Sequence, residues 1–158
     1  MELENIETLE EAKKYLRYHI TKKGAACPCC TQFAKIYKRP LTYSMVHALA
    51  LIYKSGTKDF FHVEEYLKEE DCSASIRGDF PKLRFWLMLE AYDESREDGS
   101  KRNGYYKITG LGEQFLKGNI AVPSFVKLYN NKKYGESDEM INIEQAVKNK
   151  FNYRELMK

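Results

Sequence analysis

Residues 104–118 read GYYKITGLGEQFLKG, and this stretch decides the fold. Its first residues are aromatic and β-branched, as in a strand, whereas LGEQFLK has the apolar spacing of a helix that Gly118 ends. Upstream, residues 95–104, SREDGSKRNG, contain no large apolar side chain and follow the strand-like residues 87–94, LMLEAYDE. The pattern predicts a β-hairpin with a long, charged, exposed tip, whose second strand leads directly into a helix.

Two helices and a short strand are predicted farther upstream. Residues 41–54, LTYSMVHALALIYK, carry an apolar stripe at helical spacing. The short β-prone, aromatic residues 60–63 follow, and residues 63–70, VEEYLKEE, predict a second, shorter helix. These elements precede the hairpin in the order helix, strand, helix.

A third helix is predicted immediately before the hairpin. The run of residues 71–78, DCSASIRG, is rich in turn-forming residues. Asp79 is expected to cap the helix over residues 79–86, with Pro81 in its first turn. The whole order is helix, short strand, helix, helix, strand, long tip, strand, helix.

The strand-to-helix junction resembles that of MarR-like and PadR-like winged-helix proteins, which run Tyr-x-[Leu/Ile]-Thr-x-x-Gly-x-x-[Phe/Leu]-Leu. The matching residues are Tyr106, Ile108, Thr109, Gly112, Phe115 and Leu116. The resemblance implies an α+β fold: a winged helix-turn-helix domain with an N-terminal helix, a Cys-rich turn and a C-terminal hairpin and helix appendage. This layout also resembles small uncharacterised phage and prophage proteins.

We expect three segments along the chain. Residues 1–39 hold an N-terminal helix, with Thr8 and Glu11 as a capping box, and the turn AACPCCTQF. Residues 40–118 form the winged-helix domain. Residues 119–158 form the appendage, with a hairpin around Asn130-Asn131 and a helix. The amphipathic N-terminal helix is a natural homodimerisation element, because MarR-like proteins dimerise through helices outside the wing.

The resemblance implies a nucleic-acid interface made by a recognition helix over residues 79–86 and a wing over residues 93–105. Arginine and lysine suit phosphates, and arginine also reads guanine edges. The side chains expected at this interface are Arg77, Lys82, Arg84, Arg96, Lys101 and Arg102. Double-stranded DNA is therefore the expected partner, and a transcriptional or phage-related regulator the expected function.

A protein-interaction module on the same scaffold is the alternative. The predicted recognition helix is poor in Asn, Gln, Ser and Thr, and Phe85, Trp86 and Leu87 lie at its end. In the wing, acidic residues balance the charge of the Lys and Arg residues. An exposed Trp86 would favour a host or phage protein as partner. A buried Trp86 together with exposed basic side chains would favour nucleic acid as the partner.

The cysteine-rich turn suggests part of a zinc site. Cys27 and Cys30 form a C-x-x-C pair, with Cys29 between them, and such a turn lets two thiolates reach one tetrahedral Zn²⁺ ion. One complete structural site could use Cys27, Cys30 and Cys72 with Cys29 or a histidine, or it could form across a dimer. Metal-free thiols are the alternative, and a redox pair lacks the βαβ unit that it would need.

Two further stretches interleave aromatic and basic residues. They are residues 33–39, FAKIYKR, and the positions Lys127, Tyr129, Lys132, Lys133 and Tyr134. Such side chains can stack on bases and neutralise phosphates. The same alternation describes a half-buried strand with its lysines outward.

Composition excludes several classes of protein. No window approaches the ~18 unbroken apolar residues of a membrane span, and the acidic start MELENIETLEE lacks the features of a secretory signal. A cytoplasmic location is expected. No catalytic constellation is present in the sequence, so we expect a binding protein and not an enzyme. The net charge of +3 is small, but residues 22–58 carry seven Lys or Arg and no acid.

Overall fold

A computed structural model describes residues 5–93, 104–148 and 157 of the chain. The described helices are α1 (Leu9–Ile20), α2 (Tyr43–Lys54), α3 (Val63–Glu69), α4 (Ala74–Asp79), a 3₁₀ helix (Phe80–Trp86), α5 (Gly110–Leu116) and α6 (Ile143–Val147). The strands are β1 (Ala25–Ala26), β2 (Phe33–Ala34), β3 (Tyr37–Pro40), β4 (Phe61–His62), β5 (Leu89–Ala91), β6 (Tyr105–Ile108), β7 (Val122–Pro123), β8 (Phe125–Tyr129), β9 (Lys132–Glu136) and β10 (Met140–Ile141). The fold is thus mixed α and β, with small antiparallel sheets.

The chain divides into two compact units. The described residues up to 39, together with residues 125–137, form what we call the N-terminal unit. The described residues from 40 to 124, together with 138–148, form the central unit. Of the predicted C-terminal segment, the hairpin β8–β9 belongs to the N-terminal unit, while β10 and α6 belong to the central unit. No helix in the described part of the chain has the length and apolar character needed to cross a membrane.

Helix α2 supplies much of the core of the central unit. Its N-terminus is capped by Thr42, whose hydroxyl accepts the N–H of Met45 at 3.4 Å. The side chains of Met45, Val46, Leu49 and Ile52 are fully buried, as the apolar stripe at helical spacing predicted. Complete burial of side chains of this size contributes about 1.5–3 kcal/mol each to folding.

The central unit also contains a three-stranded antiparallel sheet, in the order β4–β6–β5. Leu89 pairs with Ile108 and Ala91 with Tyr106, so the strands on either side of residues 94–103 form a ladder. The pairing of the two strands confirms the hairpin expected from the sequence. Strand β4 joins the opposite edge of β6, with Phe61 opposite Tyr106.

The junction between β6 and α5 is fixed by one threonine and one glycine. The hydroxyl of Thr109 accepts the N–H of Gly112 at 3.1 Å and donates to the carbonyl of Leu87 at 2.6 Å. Gly112 lies against the backbone of Met88, where a Cβ atom would come within 2.5 Å of the carbonyl oxygen. Phe115 is fully buried one turn later. The strand-to-helix prediction for residues 104–118 is therefore confirmed.

Two local predictions before the hairpin are wrong. The run of residues 71–78, expected as a turn, contains α4, because the Ser73 hydroxyl accepts the N–H of Ile76 and starts a helix there. Asp79 is consequently the last residue of α4 and makes no side-chain cap. The residues from Phe80 to Trp86 continue as a 3₁₀ helix. Leu87 then takes a left-handed conformation with φ of 60°, which delays the strand to Leu89.

The N-terminal unit contains a capped helix and two small sheets. Thr8 and Glu11 form the expected capping box at the start of α1. The strands β1 and β2 pair antiparallel, and β3, β8 and β9 form a second sheet in that order. Asn130 and Asn131 connect β8 to β9 with φ values of 50° and 58°, the conformation that a two-residue hairpin turn requires. The predicted hairpin is thus confirmed.

Candidate nucleic-acid interface

The 3₁₀ helix has one apolar face and one basic face. Phe80, Leu83 and Trp86 are buried in the central unit. Lys82 and Arg84 are half-buried near Phe85, with Lys82 Nζ 5.9 Å and Arg84 Cζ 4.8 Å from the centre of its ring. Two cations over one ring form a positively charged patch whose side chains are partly immobilised by packing.

Trp86 meets one half of the condition that the sequence analysis set for nucleic acid: it is buried, whereas Lys82 and Arg84 are half-buried and not fully exposed. Only 3% of its surface is exposed, and its indole N–H donates to the carbonyl of Pro123 at 2.7 Å. The tryptophan is therefore a core residue with a satisfied polar atom, and it is unavailable to a partner. Leu87, by contrast, is 66% exposed.

Arg77 occupies a different environment from Lys82 and Arg84. It lies in the last turn of α4 and is half-buried, and its Nε is buried without a hydrogen-bond partner among the described residues. Burial raises the pKa of the nearby Cys72 thiol, Glu70 raises it further, and the Arg77 guanidinium opposes this shift. Because the Arg77 side chain is half-buried, only part of its donor set is available to a ligand.

The three predicted wing cations, Arg96, Lys101 and Arg102, lie outside the described residues. The strands that lead to them are described and carry another cation. Lys107 on β6 lies 3.6 Å from the Glu90 carboxylate and 4.7 Å from the centre of the Phe60 ring. Lys107 was not among the predicted interface residues, because a lysine in a strand has no distinctive sequence signal.

The start of α4 adds small polar groups that the sequence analysis missed. Ser73 and Ser75 are exposed, as are Ala74 and Gly78. Small side chains let a ligand approach the backbone closely, and serine hydroxyls and backbone N–H groups are common phosphate donors. The missed signal was the Ser-x-x-Ile start of a short helix, which a turn-rich composition concealed.

Aromatic rings form a cluster at the base of the predicted wing. The ring of Tyr105 lies 5.2 Å from His62 and 6.4 Å from Tyr92, whose ring is 5.1 Å from Phe60. Gly104 is in a left-handed conformation, and a Cβ there would come within 2.7 Å of His62 Nε2. The cluster therefore fixes where the chain enters and leaves residues 94–103.

The Cys27–Cys30 turn lies at the tip between β1 and β2 in the N-terminal unit. The Cys27 N–H donates to the Gln32 carbonyl and the Thr31 N–H to the Cys27 carbonyl, both at 2.8 Å. The Cys29 N–H donates to Cys27 Sγ at 3.4 Å. This arrangement fits one half of a zinc site, because backbone N–H groups stabilise a thiolate that can serve as a ligand.

Of the other candidate ligands, Cys72 belongs to the central unit. Within residues 5–93 and 104–148, no group of three or more His, Cys, Asp and Glu side chains is arranged to hold a metal ion. A complete zinc site at Cys27 and Cys30 would therefore need ligands in addition to those that the described structure brings together.

We expect Cys27 to be alkylated at lower pH than Cys72. The backbone N–H groups of Cys30 and Cys29 lower the pKa of the Cys27 thiol, whereas burial raises the pKa of Cys72. Since only the thiolate reacts, the labelling rate of Cys27 should reach half its maximum at the lower pH. Iodoacetamide labelling followed by mass spectrometry measures both rates in the C29S/C30S variant, which keeps the two N–H donors. Identical pH profiles for the two thiols would contradict the turn geometry.

The chain matches no model of a known protein family, and the searches of curated proteins and of solved structures found no significant match either.

Proposed function

We propose that this chain is a winged-helix protein that binds double-stranded DNA and acts as a transcriptional or phage-related regulator. The observation that carries the proposal is the orientation of the 3₁₀ helix, which buries Trp86 and leaves Lys82 and Arg84 half-buried beside the Phe85 ring. The element order and the strand order β4–β6–β5 agree with it, because a winged helix places its hairpin directly after the recognition helix.

In this proposal the segment from Ala74 to Trp86 enters the major groove. Lys82 and Arg84 contact phosphates or guanine edges, and Ser73 and Ser75 add short-range donors near the backbone. Arg96, Lys101 and Arg102 of the wing, outside the described residues, contact the flanking backbone. We assign Arg77 fewer DNA contacts, because its side chain is half-buried and its Nε is fully buried.

The proposed regulator is a homodimer through α1. Leu9 at the start of this helix is 60% exposed, which leaves apolar area for a second copy. The Cys27–Cys30 turn is proposed to hold one structural zinc ion together with ligands from elsewhere in the chain or from the second copy. Zinc content measured beside the elution mass distinguishes these two ligand sources.

Duplex binding by the K82A/R84A variant tests the proposed function. Full-length protein is titrated into a labelled duplex of about 20 base pairs, long enough for two half-sites one helical turn apart. For wild type, affinity should fall steeply between about 50 and 200 mM salt. In the variant the slope of log K against log salt should shrink by about two, with an affinity loss of about tenfold or more.

The matched control is K54A/K117A, which removes two exposed lysines of the central unit, one at the end of α2 and one directly after α5. It should keep the wild-type slope. Absence of duplex binding at low salt, or equal losses in the two variants, would contradict the proposal.

A protein partner is the second candidate, and exposed Leu87 favours it. Leu87 lies directly after the 3₁₀ helix, beside the half-buried Phe85. This candidate would be correct if wild type captured a protein partner and did not bind duplex DNA, and if the L87D variant no longer captured that partner.

A further inference from the structure

A cleft in the N-terminal unit combines lysine and tyrosine side chains from distant parts of the sequence. Its volume is about 670 Å³, within the range of ligand sites in proteins. Lys22 lies just after α1 and Lys35 just before β3. Tyr37 and Lys38 lie on β3, Lys127 on β8 and Tyr134 on β9. We call this feature the lysine–tyrosine cleft.

The charge of the cleft has one sign. Four lysines are among its lining residues, and no aspartate or glutamate is. Lys22 Nζ is 2.8 Å from the Tyr18 hydroxyl, and Lys38 Nζ lies 5.0 Å from the centre of the Phe125 ring. In the described part of the chain none of the four ammonium groups is within salt-bridge distance of a carboxylate. Their positive potential is therefore available to an anionic ligand.

The tyrosines of the cleft present their rings to solvent. Tyr37 is 56% exposed and Tyr134 is 54% exposed. They lie on β3 and β9, the outer strands of the sheet in which β8 is the central strand. Lys127 lies on β8, and its register partner Gly135 has no side chain to cover it. The exposed rings and the lysines all line the same cleft.

Burial decides between the two explanations of these basic, aromatic stretches. A half-buried strand with lysines outward would bury its tyrosines. In β3 both Tyr37 and Lys38 are exposed, and in β9 Lys133 and Tyr134 are both exposed. Only β8 alternates as a half-buried strand does, with Val126 and Leu128 inside. The exposed tyrosines are thus not explained by the core of the unit.

We propose that the lysine–tyrosine cleft binds single-stranded nucleic acid. The ammonium groups neutralise successive phosphates, and Tyr37 and Tyr134 stack on unpaired bases, which a duplex keeps inside its helix. The site is separate from the 3₁₀ helix of the central unit and does not depend on the function proposed for it. Four phosphate contacts predict a slope of log K against log salt of up to about −3.

Fluorescence anisotropy with full-length protein and a labelled oligothymidylate of about 12 nucleotides tests this site. The K38E/K127E variant should lose affinity by about tenfold or more, because both ammonium groups face the phosphates. Y37L/Y134L keeps apolar side chains but no stacking surface, and it should also lose about tenfold or more. The charge-matched control K13E/K14E reverses two exposed lysines of α1 outside the cleft and should bind as wild type does. Thermal unfolding of each variant verifies that it is folded.

Several results would overturn the proposal. The cleft is excluded as the binding site if wild type does not bind the oligonucleotide at low salt. It is also excluded if K38E/K127E and K13E/K14E lose the same amount of affinity. Unchanged binding by Y37L/Y134L excludes base stacking. Displacement of the oligonucleotide by polyglutamate as readily as by unlabelled single strand means that the cleft takes any polyanion, an acidic protein included.

The two proposals fail separately. K82A/R84A should bind the single strand with wild-type affinity. When K82A/R84A is added to K38E/K127E, the slope of log K against log salt for duplex binding should decrease as much as it does when K82A/R84A is added to wild type. Loss of single-strand binding in K82A/R84A would place that ligand on the central unit and overturn the cleft.

Discussion

Replacing Gly112 by alanine is expected to lower the free energy of unfolding by about 1–3 kcal/mol or more, the usual cost of overpacking a rigid interior. The added Cβ would lie 2.5 Å from the Met88 carbonyl oxygen and 3.0 Å from Ile108 Cγ1. A backbone carbonyl cannot rotate away as a flexible side chain can, and the Thr109 N–H donates to this same Met88 oxygen at 3.1 Å. The clash must therefore move α5 off the hairpin.

Gly110 provides the control two residues earlier. It is the first residue of α5, and no atom lies within 4 Å of a Cβ added there. G110A should leave stability unchanged or raise it by up to ~1 kcal/mol, because alanine has less backbone entropy to lose on folding. Urea unfolding followed by circular dichroism measures both variants. Equal stability of G112A and G110A would contradict the close packing at this junction.

Replacing Leu83 by alanine is expected to cost about 2–5 kcal/mol, the range for deleting a buried leucine side chain. Leu83 is fully buried between Phe80 and Trp86 on the inner face of the 3₁₀ helix. Truncation leaves a cavity that this short helix cannot close, since its backbone is held by the turn at Leu87 and by the strand that follows.

Leu87 gives the matched control, because the same substitution is made one turn later on an exposed side chain. L87A should change stability by less than ~0.5 kcal/mol. The pair also tests the orientation on which the proposed function depends. If L83A were as stable as L87A, Leu83 would face outward, and the apolar side of the 3₁₀ helix would be free for a protein partner.

The fold was predictable where neighbouring residues determine the structure. Thr109 and Gly112 act on each other and on Leu87 and Met88, close along the hairpin, so the pattern in residues 104–118 was sufficient. The Asn130-Asn131 turn was predictable for the same reason. Residues 71–79 were misjudged because Ser73 and Asp79 both favour helix N-caps, and composition alone does not tell which one starts the helix.

The candidate site was predictable only in part. Lys82 and Arg84 follow from their place in the sequence order, whereas their contact with Phe85 requires the 3₁₀ conformation. The two basic, aromatic stretches were recognised separately in the sequence. That they form one lysine–tyrosine cleft could not be predicted, because the cleft depends on the pairing of β3 with β8. Strand pairing between distant residues leaves no local signature in a single sequence.

The most direct test of the proposed function is amide chemical-shift mapping of ¹⁵N-labelled full-length protein during addition of a duplex of about 20 base pairs. The proposal predicts the largest shifts in residues 73–86, with further shifts along β6 beside the wing. Lys82 and Arg84 should be among the perturbed residues, and buried α2 should change little. Shifts that are absent from residues 73–86, or confined to the N-terminal unit, would contradict the assignment of duplex DNA to this helix.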